Sequence, residues 1–252
     1  MHPFTSDAAA ERYSRGRPYY HPLVIGRVRR RLALHAPVSL ALDVGCGTGL
    51  STLALADLAD RVIGCDPSAA MLARAPADPR VAYRAAPAEA LPVPDASCDL
   101  LTAASAFHLF DRAAFLREAR RVLRPDGWLV LYDNALTGEG VPAFPRWLRD
   151  VYLPAHPSPP AANRAPLRPE EAARAGFRFA AEEEYDHTVR FTPTILAAYL
   201  LSLDTSVPHD EAVPYAEQRD HLASQVARLF GPRTEATFTF RGHIRYLKRL
   251  SG

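Results

Sequence analysis

Two carboxylates and three glycines carry the most chemical information in this sequence. Asp43 stands two residues before Gly45 in the run Leu42-Asp43-Val44-Gly45-Cys46-Gly47-Thr48-Gly49, and Asp66 closes a second apolar run, Arg61–Cys65. Glycines at alternate positions after an apolar stretch make a turn that a ligand can approach at backbone distance, because a side chain at Gly45 or Gly47 would hold it off. A helix beginning directly after the turn offers free N–H groups and a positive dipole end to a polar or anionic group. A carboxylate at Asp43 suits a ligand bearing an ammonium group better than a pyrophosphate. An acid at the position of Asp66 can accept both hydroxyl protons of a ribose; the competing reading is a capping aspartate for the helix that follows. The turn reads G-x-G-x-G, not the G-x-G-x-x-G of dinucleotide folds.

The elements that must position these residues can be read in order. Leu40–Val44 is short and apolar enough for a buried strand, Leu50–Leu58 repeats at helical spacing, and Arg61–Cys65 is a second strand. Asp66-Pro67-Ser68 opens a helix with Ala69–Ala75 as its body; Met71, one turn in, reads as core or as a ligand contact. Val81–Ala85 is a third strand and leads into Ala86-Pro87-Ala88-Glu89-Ala90-Leu91. Cys98–Ala104 is a fourth, doubly buried strand ending at Ser105-Ala106-Phe107-His108. Ligands of open α/β sheets sit beyond the carboxyl ends of the strands. His108 is the titratable side chain in that stretch suited to proton transfer near neutral pH, with a fixed structural role as the alternative. Asp111 caps a helix whose stripe is Phe115, Leu116, Ala119, Val122 and Leu123. Pro125-Asp126-Gly127 is a turn, and Trp128–Tyr132 is strand 5. Upstream, Leu23–Leu34 is a helix, behind a polar and aromatic N-terminal arm interrupted by Pro18 and Pro22. Downstream, the spacing predicts strand 6 at Glu182–Phe191, helices over Pro193–Leu203 and Glu211–Phe230, and a last strand within Thr234–Tyr246.

The segments LDVGCGTG (42–49), GCDPSAAML (64–72), AEALPVPDASCDLL (88–101) and FLREARRVLRPDGWLVLYD (115–133) together resemble the class I S-adenosylmethionine-dependent methyltransferases, over roughly residues 38–135. Within that class the sequence is most similar to the small-molecule branch of trans-aconitate and ubiquinone/menaquinone-type enzymes. The resemblance implies a Rossmann-like α/β fold: seven mostly parallel strands, the last antiparallel beside strand 5, helices on both faces and a helical cap insertion. It implies one domain over 1–252, with an N-terminal arm and first helix over 1–34 and the insertion within 134–233. The cofactor is expected to be S-adenosyl-L-methionine, held by Tyr13, Asp43, Gly45, Cys46, Gly47, Thr48, Asp66, Pro67, Met71, Ala88, Glu89, Ala104 and Ser105. Pro87 stands where many relatives carry an aspartate for the adenine amine, which leaves Glu89, a backbone carbonyl or water for that role. Arg17, Tyr19, Phe107, His108 and Tyr199 are the expected acceptor contacts, with His108 also the candidate base. Phe191, Leu200 and Leu203 could add an apolar lining.

Composition bounds the remaining classes. The chain has 252 residues, 48% hydrophobic and 23% charged, with a formal net charge of +2. That charge is too small to argue for nucleic acid. Lys248 is the one lysine among 30 basic residues. Arg27, Arg29, Arg30 and Arg31 form the densest basic cluster, but no aromatic stacking platform is interleaved with it, so a solvated helix face is expected. Cys46, Cys65 and Cys98 lack metal-ligand spacing and read as buried, reduced thiols; no metal is expected. The opening residues contain no apolar signal region, and no run approaches a membrane span. A cytoplasmic enzyme acting on a small-molecule acceptor, without a membrane partner, is the expectation. An adenosyl-binding cyclase on the same fold, an RNA-modifying or RNA-binding protein and an NAD-dependent dehydrogenase are the competing readings.

Overall fold

The computed structural model describes residues 4–137, 140–157, 165–203 and 212–251. Its strands are β1 (Val38–Val44), β2 (Ala59–Asp66), β3 (Val81–Ala85), β4 (Cys98–Ala104), β5 (Leu123–Leu136), β6 (Phe177–Phe191) and β7 (Ala236–Arg249). They form one seven-stranded sheet in the order β3-β2-β1-β4-β5-β7-β6. The pairs β1–β2, β1–β4, β2–β3 and β4–β5 are parallel. β7 runs against its neighbours. Side-chain pairs to β6 step in opposite directions along the two strands, from Glu182–Arg245 through Glu184–His243 and Asp186–Arg241 to Arg190–Glu235. Likewise Leu123 of β5 lies by Arg249 and Thr137 by Thr239. The expected mostly parallel sheet, with its last strand antiparallel beside strand 5, is the one observed.

The chain divides into two compact units. The first comprises residues 19–133, 162–184 and 243–252; the second comprises 1–18, 134–161 and 185–242. In the first unit, α2 (His21–Arg31), α3 (Leu50–Leu55), α4 (Ala69–Leu72), α5 (Arg112–Val122) and α8 (Pro169–Arg174) flank the strands. Phe115, Leu116, Ala119 and Val122 of α5 are all buried, in a cluster with Leu42, Leu101, Leu129, Leu131 and Phe177. Phe115, Leu116 and Val122 each contribute roughly 1.5–3 kcal/mol on burial, before entropy is counted. Asp111 caps this helix by accepting from the Ala114 N–H at 3.0 Å. Tyr132, the next residue after Leu131 and therefore on the other face of β5, reaches His21 of α2 at 3.0 Å. Helices thus serve both faces, as expected.

The second unit holds α1 (Asp7–Gly16), α6 (Phe144–Trp147), α7 (Leu153–Ala155), α9 (Pro193–Leu201) and α10 (Tyr215–Phe230). Its interior is aromatic: Phe144, Tyr152, Phe191, Tyr199, Phe230, Phe238 and Phe240 are buried together. Thr192 caps α9 through the Ile195 N–H, with Pro193 in the first turn as expected.

Several boundaries differ from the sequence reading for identifiable reasons. The N-terminal arm contains a real helix, α1, which ends just before Pro18 and is capped by Ser6. α2 starts at His21 rather than Leu23, because Pro22 sits in the first turn, where its missing N–H costs nothing. α3, α4 and α9 stop short of Leu58, Ala75 and Leu203. β6 begins at Phe177, directly after Gly176 in a left-handed conformation, five residues ahead of the expected start. α10 begins after Pro214; the expected start at 211 lies outside the described residues. Pro125-Asp126-Gly127 is a bulge inside a longer β5 rather than a separating turn, since Cys98 pairs with Leu123 and Leu100 with Trp128.

Where α1 meets α9, Gly16 has no room for a side chain: a Cβ there would lie 2.2 Å from the Ala198 carbonyl oxygen and 2.7 Å from Ser202 Cβ. Gly16→Ala should therefore destabilise the protein by about 1–3 kcal/mol through overpacking, seen as a lower denaturant midpoint. Unchanged stability would show that α1 is not anchored on α9.

Candidate functional site

β1 delivers Asp43 to the carboxyl edge of the sheet fully buried, with 0% of its surface exposed. Its carboxylate accepts three hydroxyls: Ser51 at 2.6 Å, Thr52 at 2.7 Å and Thr102 at 2.8 Å. Burial raises its pKa above the ordinary carboxylate value, the three hydroxyls pull it down, and burial wins. Within the protein, Asp43 is bonded to the first turn of α3 and to β4. Ser51 and Thr52, two hydroxyls directly after the turn, were the available signal.

The turn itself is built as expected, with Gly45, Gly47 and Gly49 all at positive φ. Two of the glycines also have a reason within the protein. A Cβ on Gly45 would lie 2.5 Å from Ala106 Cβ and 3.0 Å from the Phe110 ring. One on Gly49 would lie 2.5 Å from Tyr83 Oη. Those two positions are closed to side chains by the protein itself, before any ligand is considered. Gly45 N and Cys46 N donate to the Cys65 carbonyl at 2.8 and 3.0 Å, which ties the turn to β2.

Asp66 ends β2 facing the same turn. One carboxylate oxygen accepts from Gly47 N at 2.9 Å and the other from Ser68 N at 2.9 Å. The capping reading and the ligand reading coexist, because each carboxylate oxygen has a second lone pair to offer. The cap proper belongs to Ser68, whose hydroxyl accepts from Met71 N at 3.3 Å. Met71 is buried and Pro67 exposed.

The remaining expected residues fall into two groups. Ala88, Ala104, Ser105, Phe107 and His108 belong to the same unit as the turn, as do Glu89 and Tyr19. Glu89 accepts from the Asp111 N–H at 2.9 Å, which links the loop after β3 to the start of α5. Tyr19 is 52% exposed, with its ring 6.0 Å from His21. Ser105 is left-handed (φ 51°), an uncommon backbone for a residue other than glycine. It is held by its N–H to the Tyr132 carbonyl (2.7 Å) and by contact between its hydroxyl and Tyr20 Oη (3.3 Å). Tyr20 in turn stacks on His21 at 4.4 Å. Tyr20, His21 and Tyr132 were missed by the sequence reading, since nothing in their spacing links them to position 105.

Tyr13, Arg17 and Tyr199 belong to the other unit. There the Arg17 guanidinium stands 4.7 Å from the Tyr13 ring centre and 6.0 Å from that of Tyr199, and donates to the Ser202 carbonyl at 2.9 Å. Arg17 thus braces α1 against the end of α9. Tyr199, Phe191 and Leu200 fill the interior of that unit.

A cavity of about 330 Å³ opens beyond β4 and β5 in the first unit. Ser105, Phe107 and His108 line it, together with Leu131, His243 and Arg245. The last two come from β7 and were also missed; their alternation was legible, but not the face they would occupy.

These features define an α/β domain of the Rossmann type, with its glycine turn after β1 and an acid, Asp66, at the end of β2. Known proteins agree and narrow the class. The family described as methyltransferase domain matches residues 42–131. A solved structure from Anaeromyxobacter dehalogenans, provisionally described as a type II methyltransferase, superposes with a TM-score of 0.69 at 27% identity, covering 94% of this chain and 99% of that one. A Mycolicibacterium smegmatis protein provisionally assigned as an S-adenosylmethionine-dependent methyltransferase is 39% identical over 130 residues, 49% of this chain and 51% of its own length. The 27-O-demethylrifamycin SV methyltransferase of Amycolatopsis mediterranei is 39% identical over 122 residues, 44% of this chain and 45% of its own. The chain thus spans about half the length of these two curated relatives. Residues 42–131 thus carry the methyltransferase family's domain, and the relatives and the solved structure that the chain resembles are described as methyltransferases.

The residues present fit S-adenosylmethionine on a feature of the structure itself. Thr48 Oγ1, inside the glycine turn, is buried and has no hydrogen-bond partner among the described residues. A buried hydroxyl left unpaired costs on the order of 1–3 kcal/mol, so the turn is built for a polar ligand group. Among the described residues no cluster of His, Cys, Asp and Glu could hold a metal ion, and no helix is long and apolar enough to cross a membrane.

Two tests follow from this geometry. Gly49→Ala should destabilise the ligand-free protein by about 1–3 kcal/mol, because it strains a left-handed residue and drives Tyr83 from its place. A loss confined to ligand affinity, with an unchanged melting curve, would show that Tyr83 does not close this position. The three cysteines are all buried, and burial pushes the thiols of Cys65 and Cys98 up to about 12 and that of Cys46 well above its ordinary value. In the native protein at pH 8 they should resist a thiol-specific chromogenic disulfide for hours and react at once in denaturant. Rapid native labelling of any one would contradict the packing.

Proposed function

We propose that this protein transfers the methyl group of S-adenosyl-L-methionine to an oxygen, nitrogen or carbon atom of a small organic acceptor. The observation that carries the reading is the joint between Asp66 and the left-handed Gly45–Gly49 turn, within the segment matched by the methyltransferase family. The similarity to a methyltransferase acting on demethylrifamycin supports an organic acceptor and a tailoring step on a natural product. When bound, the cofactor supplies an electrophilic methyl group on a sulfonium sulfur.

The chain's own residues have five tasks in this reading. Asp66 accepts from the ribose hydroxyls through its remaining lone pairs. The turn N–H groups and Thr48 Oγ1 bind the methionine part, while Asp43 keeps the turn in shape from beneath. Ala88 and Glu89 border the adenine. Ala104 and Ser105 border the cofactor, and Phe107 orients the acceptor and excludes water; alignment of the two bound partners supplies much of the rate gain in such a displacement. His108 takes the proton where the acceptor atom must lose one. Residues 134–233 are assigned to acceptor recognition as an insertion in one methyltransferase domain, a reading supported by the two helices, α9 and α10, that separate β6 from β7.

The test is calorimetric titration of S-adenosylmethionine, S-adenosylhomocysteine and NAD into the wild-type protein and Asp66→Ala, with melting curves of both. Micromolar binding of the two adenosyl ligands is expected, weakened at least about tenfold, or about 1.4 kcal/mol, in a variant that is still folded. Silence toward both, or a preference for NAD, would sink the reading. Adenosyl binding with no methylated product from any acceptor would favour a cyclase instead.

A further inference from the structure

The cavity beyond β4 and β5 has one polar wall that no part of the proposed cofactor site uses. His243 and Arg245 lie two residues apart on β7, so their side chains leave the same face of the strand. Leu247, the next residue on that face, is buried with Leu131 and Leu167. Both basic residues line the cavity.

Arg245 is the more informative of the two. Its side chain is only 13% exposed, and its Nη2 donates to Glu182 at 2.6 Å. Its Nε is buried and has no hydrogen-bond partner among the described residues. A buried guanidinium N–H without an acceptor is costly to retain. The counter-charges sit further out: the side chain of Glu182 is 41% exposed and that of Glu184, 3.8 Å from His243 Nδ1, is 67% exposed. Asp133 is the one acid in the lining, and it too is exposed. The cation therefore faces inward and its partners outward. Against it stand Phe107, Leu131 and Leu167, which offer a hydrocarbon surface. A planar guanidinium beside apolar walls matches a carboxylate on a hydrocarbon body, through paired N–H···O bonds. A volume of about 330 Å³ limits the enclosed part to a compact molecule.

We propose that this cavity binds the carboxylate end of a small organic acid, with Arg245 as the specificity-determining residue and His243 as a second donor. The proposal rests on the methyl-transfer reading only in taking the bound acid to be the acceptor.

The experiment titrates benzoate, cinnamate and hexanoate, each against its uncharged carboxamide, into the protein with and without S-adenosylhomocysteine. Wild type, Arg245→Gln and Glu182→Gln are compared, and S-adenosylhomocysteine affinity is measured separately for each. At least one acid should bind the wild type at least tenfold more tightly than its amide. That preference should vanish in Arg245→Gln and grow severalfold in Glu182→Gln, which removes the competing carboxylate. S-adenosylhomocysteine affinity should be the same in all three. Absence of any acid preference in wild type, or a preference that survives Arg245→Gln, overturns the proposal. Should Arg245→Gln fail to fold, an unchanged acid preference in Glu182→Gln overturns it instead. Failure of S-adenosylhomocysteine to bind any of the three proteins would strike the methyl-transfer reading alone, and the acid–amide comparison without it would still decide the carboxylate site.

Discussion

A single buried carboxylate holds the first unit together. Asp43 is removed from water entirely, and an unpartnered charge there would be prohibitive. Ser51 and Thr52 from the first turn of α3, with Thr102 from β4, make it tolerable. In doing so they fix where α3 starts relative to β1 and β4. The glycine turn is the chain between the carboxylate and its donors, so its path is determined from both ends.

Asp66 extends the same constraint outward. Its bonds to Gly47 N and Ser68 N join the turn after β1 to the start of α4. The side chain that would read a ribose is therefore also a strut of the binding surface. The two roles are compatible because a carboxylate can accept about four hydrogen bonds. Cofactor recognition of this kind needs little movement, since Gly45 and Gly49 are wedged by Ala106, Phe110 and Tyr83.

The second unit is organised by different forces. Its interior is packed from aromatic rings of α6, α9, α10, β6 and β7. Arg17 adds a charged brace, stacked near two tyrosine rings and bonded to the end of α9. Cation–π contacts of this sort contribute on the order of 0.5–2 kcal/mol, and the partly apolar guanidinium suits such a site.

The order of β1, turn, α3 and β2, and the acids that end the two strands, were legible because each is a local pattern: an apolar run, a positive-φ glycine, a polar residue at a fixed offset. The α5 stripe was legible for the same reason, as a 3.6-residue period buried against one sheet. Helix ends were less legible where proline or a capping side chain moved them, as at Pro22, Pro214 and Ser6. What tertiary structure alone decided is which side chain meets which across the sheet. The partners of Asp43 come from residues eight, nine and 59 positions away. Gly45 is required by Ala106 and Phe110, and Gly49 by Tyr83. Arg17 is bonded to Ser202, 185 residues on. His243 and Arg245 become a cavity wall because β7 inserts beside β5. Local propensity fixes the period of a strand, but strand pairing decides which of its two faces looks onto a site, and pairing is set by contacts between segments far apart in the chain.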